Sequence, residues 1–255
     1  MSEKRIERVL LPLAGAGLVL LSWQLAVVMT KTTIFPSPAA VARALVELWR
    51  RGVLGPYVRD SLVRVGAGYG LAALVGVPLG TLMGRYRSVA VAVNPQVQFF
   101  RPISPLAWIP VAILLFGISN FAAIFLVFLG SLFPIVLATM NGVSAVAPMY
   151  LQAGTNFGLS PAALMFRVML PAAMPEILGG LRVALGVAWI VVVAAEMIAV
   201  DSGLGYLIID ARNAGKRYDL VVAGMLLIGV IGLALDVLMR RLERMDALRW
   251  GFHRE

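Results

Sequence analysis

Five ionisable side chains fall inside long apolar runs: Arg64, Arg101, Arg182, Glu196 and Asp236. An ionised group at bilayer depth costs about 3 kcal/mol or more unless it is paired or wet, so each is a candidate for handling a charged solute. Arg101 opens the run Arg101-Pro-Ile-Ser-Pro-Leu-Ala-Trp-Ile-Pro110, in which three prolines remove backbone donors and break the helix. Irregular backbone at this depth persists only when buried in protein or facing a cavity, so the segment is expected to line a path. Two readings of Arg101 stand side by side. It attracts a passing anion, or it is a structural cation that pairs with Glu196 or anchors carbonyls freed by the prolines. Arg182 is also compatible with an anion, whereas Arg64 and Asp236 lie near span ends, where snorkelling to the interface suffices. Asn94, Gln96 and Gln98 precede the break and serve either as interhelical glue or as pore lining. The path candidates are Gln98, Arg101, Ser104 and Glu196.

Bond-making chemistry has little to work with. Cysteine is absent, and the one histidine, His253, sits in the C-terminal tail, which removes thiolate nucleophiles and the usual metal ligands. Ser104 and Ser131 have no His to activate them, and no paired carboxylates share a helix face. We therefore expect no catalytic residue, no metal site and no cofactor bound by the chain. It also lacks the Gly-x-x-x-x-Gly-Lys-[Ser/Thr] phosphate loop, so energy from ATP has to come from a partner.

A second cluster lies between apolar runs: Gln152-Ala153-Gly154-Thr-Asn-Phe-Gly158-Leu159-Ser160-Pro161, followed by Val168-Met-Leu-Pro171. Ser160 suits an N-cap and Pro161 the first helical turn, while Gly158 supplies the positive φ that ends a preceding helix. The stretch reads as two short helices joined at Gly158.

These residues must be carried by membrane spans. With 60% hydrophobic and 14% charged residues over 255 positions and a mean hydropathy of +0.90, the chain has too little polar surface for a soluble globule. A span takes about 20 apolar residues, and such runs are read at 9–29, 61–84, 89–116, 121–140, 175–200 and 219–239. Lys4, Arg5 and Arg8 make the first a retained anchor. Pro36-Ser37-Pro38 starts an amphipathic helix with Val41, Leu45 and Leu48 on one face, expected to lie on the membrane surface. Gly66, Gly70, Gly76, Gly80 and Gly84 give span two a face for close helix packing, within the monomer or between copies. With a cytoplasmic N-terminus, inner segments hold 11 Lys and Arg against 8 outside, a slight positive-inside bias. The net charge of +9 is spread over membrane-flanking segments, so nucleic-acid binding is not expected. A secondary transporter or channel would also show broken spans and deep charges, and it remains the alternative at this point.

The 152–171 stretch resembles the "EAA" coupling loop of ABC-importer permeases, with Gln152 in place of the Glu and Gly154 in place of the second Ala. Phe35-Pro-Ser-Pro38, Ser61-Leu-Val-Arg64, the 101–110 run, Phe116-Gly-Ile118, Leu181-Arg-Val-Ala-Leu-Gly186, Ala194-Ala-Glu-Met197 and Ser202-Gly-Leu-Gly-Tyr206 are similar to permeases of the nitrate, sulfonate, taurine and bicarbonate group. The resemblance implies an all-α polytopic membrane protein of about six transmembrane helices with the type I importer (MetI-like) permease fold. It divides into residues 1–60 (first span and periplasmic amphipathic helix), a permease core of five spans over 61–241 with the coupling loop at 148–171, and a cytoplasmic tail at 242–255. It further implies a cytoplasmic ABC ATPase dimer carrying ATP and Mg, a second permease copy, a periplasmic or lipid-anchored binding protein, and a bacterial inner-membrane location with both termini cytoplasmic. Gln152, Ala153, Gly154, Gly158, Leu159, Ser160 and Pro161 would then be the ATPase-coupling residues.

Overall fold

The computed structural model describes residues 3–30 and 34–243, which hold helices and turns and no strand. The first helix, α1 (Glu3–Thr30), carries the apolar run Leu10–Thr30 and stands apart from the other spans, its large side chains mostly exposed. It is tied at its far end, where Trp23 Nε1 donates to the Pro36 carbonyl at 3.0 Å. Helix α2 (Pro38–Arg50) starts as the sequence predicts: the Ser37 hydroxyl accepts from Ala40 N, and Pro38 takes the first turn. Its buried face of Val41, Ala44 and Leu48 packs on Leu207, Ala211, Leu220 and Ala223, so protein rather than lipid covers it.

The centre of the bundle is α3 (Leu54–Arg85), α6 (Asn120–Ser144) and α9 (Leu170–Glu196). Glycines set how closely α3 and α6 approach. A Cβ at Gly68 would lie 2.7 Å from Ile124 O, one at Gly80 2.5 Å from Val136 O, and one at Gly84 2.7 Å from Met140 O. Gly76 belongs to this face too, against Ile135. Gly66 and Gly70, expected there, instead meet nothing within 4 Å, and Gly68 takes their place.

The third span is not one rod. Helix α4 (Arg87–Phe100) and, after a 3₁₀ turn at Pro105–Trp108, α5 (Ile109–Phe116) are bent by 84°. Five helices are long and apolar enough to cross a membrane, or six if this bent pair counts as one span, among the described residues. The fifth span starts earlier than expected. Helices α7 (Pro148–Asn156) and α8 (Pro161–Leu164) form the loop, and α8 runs through a π turn at Met165–Met169 straight into α9. Leu170 N donates to Met165 O across that turn, placing Pro171 in the first turn of α9, where its missing donor does no harm. The second loop helix is thus an extension of the span rather than a separate short element.

Two helices complete the fold. Residues 201–217, read as a segment between the fifth and sixth spans, contain α10 (Leu204–Gly215), followed by α11 (Tyr218–Glu243). Arg217 cross-ties this corner to α2, donating to Glu47 Oε2 at 2.7 Å and Asp219 Oδ2 at 2.8 Å. His253 and residues 244–255 of the expected tail lie outside the described residues.

Candidate functional site

The 148–171 loop is ordered by local hydrogen bonds. Leu159 N donates to Gly154 O at 3.1 Å and Gly158 N to Thr155 O at 2.9 Å, with Gly158 at φ +75. This is the paired-bond C-terminal motif that requires a left-handed residue after the helix. Ser160 then caps α8, its hydroxyl accepting from Ala163 N at 3.3 Å. Gly154 is buried, and a Cβ there would lie 3.0 Å from Leu164 Cδ2 and 3.3 Å from Leu159 Cδ1. The closeness of α7 and α8 therefore depends on this position being small. Gln152 and Ala153 are exposed beside Met149, Tyr150 and Phe157, the last 87% exposed. This apolar surface is outside the bundle and bears no ionic side chain between Pro148 and Pro161.

At the other end of α9 lies a buried ionic cluster. Arg64, 2% exposed, donates through Nη1 to Glu196 Oε1 at 2.7 Å and to the Ser202 carbonyl at 2.8 Å, through Nε to Asn120 Oδ1 at 2.8 Å, and through Nη2 to the Ser202 hydroxyl. Glu196 has no exposure at all; its Oε2 accepts from the Ser61 hydroxyl at 2.9 Å and from Gly205 N at 3.0 Å. Ser61 also accepts from Leu204 N at 3.0 Å. Four elements are joined here: α3, the start of α6, the end of α9 and the N-terminus of α10. Gly203, at φ +102, passes so close to the Glu196 carboxylate that no Cβ fits between them.

This arrangement corrects two expectations. Arg64 does not snorkel, because α3 begins at Leu54 and so buries it within the bundle. Glu196 pairs with Arg64 rather than Arg101. Asp236 does not rely on snorkelling either: it accepts from Arg182 Nε at 2.7 Å and Arg240 Nε at 2.8 Å.

Arg101 remains without a carboxylate within salt-bridge distance among the described residues. It is exposed and lines a partly open cavity of about 230 Å³ with Ile103, Pro105, Trp108, Leu129, Gly130, Phe133, Pro134 and Val187. The bend between α4 and α5 forms one wall, and α6 and α9 form the others. Of the four path candidates, Arg101 alone lines this space. Gln98 is exposed on α4, Ser104 caps the 3₁₀ turn by accepting from Leu106 N at 3.3 Å, and Glu196 is buried in the cluster above. Asn94 Oδ1 is buried without a hydrogen-bond partner. Sequence reasoning missed Phe133, Leu129 and Val187, which come from helices distant in the chain. The one signal was Gly130, where a Cβ would lie 3.3 Å from Pro105 and 3.4 Å from Val187. Among the described residues no three His, Asp or Glu side chains gather as a metal site would need.

Comparison with known proteins fits this architecture. Residues 76–245 match the family described as binding-protein-dependent transport system inner membrane component. The bicarbonate transport system permease protein CmpB of Synechococcus elongatus is 32% identical over 95% of this chain and 91% of its own length. The taurine transport system permease protein TauC of Escherichia coli is 33% identical over 90% and 85%. Among solved structures, the MetNI methionine ABC transporter in an inward-facing conformation superposes with a TM-score of 0.63 at 19% identity, covering 76% of this chain and 96% of that one. The broken third span, the glycine-packed α3–α6 pair and the capped loop before α9 are thus features of a multi-pass transport permease, and the chain belongs to the family of binding-protein-dependent transport system inner membrane components.

Proposed function

We propose that this permease subunit imports a small anion by alternating access, with its path passing the cavity at Arg101 and its energy supplied by an ABC ATPase docked on the 148–171 loop. The observation that carries the anion reading is Arg101 itself: a cation at membrane depth, in a cavity, with no carboxylate beside it. An uncompensated charge is tolerated there if water or an anion meets it. The relative named for bicarbonate transport points to the same sign of charge.

The loop supports the coupling role through its exposed apolar surface on α7 and the rigid turn at Gly158. Docking of an ATPase there makes that side cytoplasmic, so the Arg64–Glu196 cluster lies at the outer end, where a binding protein delivers solute. A second permease copy completes the complex. Glu196 then belongs to the scaffold, and Ser104 caps the 3₁₀ turn beside the cavity.

The reading is tested with the complex of permease, ATPase and binding protein in proteoliposomes, using a solute identified by thermal shift of the binding protein. The permease alone should hydrolyse no ATP and the complex should. Arg101→Gln should abolish uptake while assembly and basal hydrolysis persist. Gly158→Val places a β-branched residue in left-handed backbone, at a local cost of about 1–2 kcal/mol; it should insert normally yet lose ATPase association. Hydrolysis by the permease alone, or uptake at the unmodified rate in both variants with the complex intact, would overturn the proposal.

A further inference from the structure

We infer that the cavity at Arg101 is a binding site in its own right, built for an organic anion with one acidic head on an apolar or aromatic body, in preference to a small inorganic oxyanion. The inference rests on the reading of this cavity as part of the path and narrows what that path accepts.

The lining carries the argument. Arg101 is the one charged residue of the cavity, and its planar guanidinium offers paired donors that match a carboxylate or sulfonate. Around it stand Trp108, Phe133, Ile103, Leu129 and Val187, of which only the Trp108 indole N–H can donate a hydrogen bond, too few to replace the several that water gives a hydrated oxyanion. A nitrate or bicarbonate ion, polar on every side, would surrender water to an apolar wall over most of its surface and recover contacts on one face alone. An organic anion has only its head to satisfy, and its body gains by leaving water. The size agrees: about 230 Å³ is several times the ~30 Å³ one water occupies in the liquid, more room than a four-atom ion fills.

The aromatic wall is also held in place. Trp108 lies in the 3₁₀ turn capped by Ser104, and the Phe100 ring backs it, with centroids 6.2 Å apart. Gly130 and Val187 fall in the middle third of α6 and α9, so the site is near mid-membrane. The other membrane-depth cations are already engaged, Arg64 with Glu196 and Arg182 with Asp236, leaving Arg101 the free one among the described residues.

The test uses the full-length permease in lipid nanodiscs and equilibrium binding of nitrate, bicarbonate, methanesulfonate, benzenesulfonate and naphthalene-2-sulfonate, with 2-naphthalenemethanol as the neutral control. Affinity should rise at least tenfold from methanesulfonate to naphthalene-2-sulfonate, with nitrate and bicarbonate weakest and the neutral alcohol at the level of empty nanodiscs. Arg101→Gln should weaken every sulfonate at least tenfold, whereas Trp108→Ala should weaken the aromatic ones and leave methanesulfonate within twofold. Nitrate or bicarbonate binding as tightly as naphthalene-2-sulfonate, or binding unchanged in Arg101→Gln, would overturn the inference. ATP-driven uptake of the same radiolabelled anions by the assembled complex separates it from the path reading. Arg101-dependent uptake with a flat binding series upholds the path and sinks the preference. A steep, Arg101-dependent series with Arg101-independent uptake does the reverse.

Discussion

Arg64 and Arg101 are the same residue in two settings. Arg64 is surrounded by Glu196, Asn120 and Ser202, and every acceptor around it is used. Arg101 faces aromatic and aliphatic walls with no acidic group in reach. The first setting neutralises its charge internally and in doing so fixes the ends of α3, α6, α9 and α10 relative to one another. The second leaves the charge available. A buried ion pair is weak evidence for stability, because desolvation offsets attraction, but breaking one by removing a single partner is strongly destabilising. The contrast therefore separates a residue whose loss should unfold that end of the bundle from one whose loss should empty a site.

The largest effect is expected for Glu196→Ala, which strands the Arg64 charge and should cost about 3–5 kcal/mol, read as loss of folded protein on thermal unfolding in detergent. Combining Arg64→Met with Glu196→Met should cost less than the sum of the two single changes; full additivity would show that the two are not a unit. Ser61→Ala should follow at about 1–3 kcal/mol, since it deprives both Glu196 Oε2 and Leu204 N of a partner. Arg101→Gln should shift stability by no more than about 0.5 kcal/mol; a loss as large as that of Glu196→Ala would erase the distinction between the two arginines.

The smallest effect belongs to the half-buried tie at Glu47. The hydrogen bond from Arg217, with the Arg217 and Arg51 charges beside it, holds the Glu47 carboxyl below its usual pKa against the opposing effect of desolvation. Its folded value is depressed, so its contribution is complete above the unfolded value of about 4.3 and is lost as pH falls through the folded one. Proteolytic release of α2 should accelerate below that pH in the unmodified protein, and Glu47→Gln should flatten the profile.

Local features were readable in the chain. Gly158 and Ser160-Pro161 specify a turn and a cap within a few residues, and both appear with the geometry their chemistry requires. The Ser37 cap of α2 was legible for the same reason. What escaped was pairing across distance. Arg64 and Glu196 are 132 residues apart, and no local periodicity records which helices meet. Depth was misjudged where a helix start was misjudged: with α3 beginning at Leu54 rather than residue 61, Arg64 moves inward by two turns. Helix α10 was hidden by its charges, Asp210 and Arg212, with Lys216 just past its end, although Leu204, Leu207, Ile208 and Ala211 repeat at helical spacing and are buried. The fifth span was read from residue 175 because the π turn at Met165–Met169 that joins α8 to α9 has no sequence signature of its own.

The glycines of α3 bear on how this sequence can drift. At positions 68, 76, 80 and 84 the facing backbone or side chains of α6 already occupy the place of a first carbon, while at 66 and 70 the space is empty. Tolerance to substitution along this single helix should therefore be two-sided: alanine or serine accepted at 66 and 70, and almost nothing but glycine at 68, 80 and 84, where a backbone carbonyl rather than a flexible side-chain tip stands in the way. A saturation library of α3 selected for membrane accumulation would register that asymmetry as a stripe of invariant positions beside freely varying ones on the same helix.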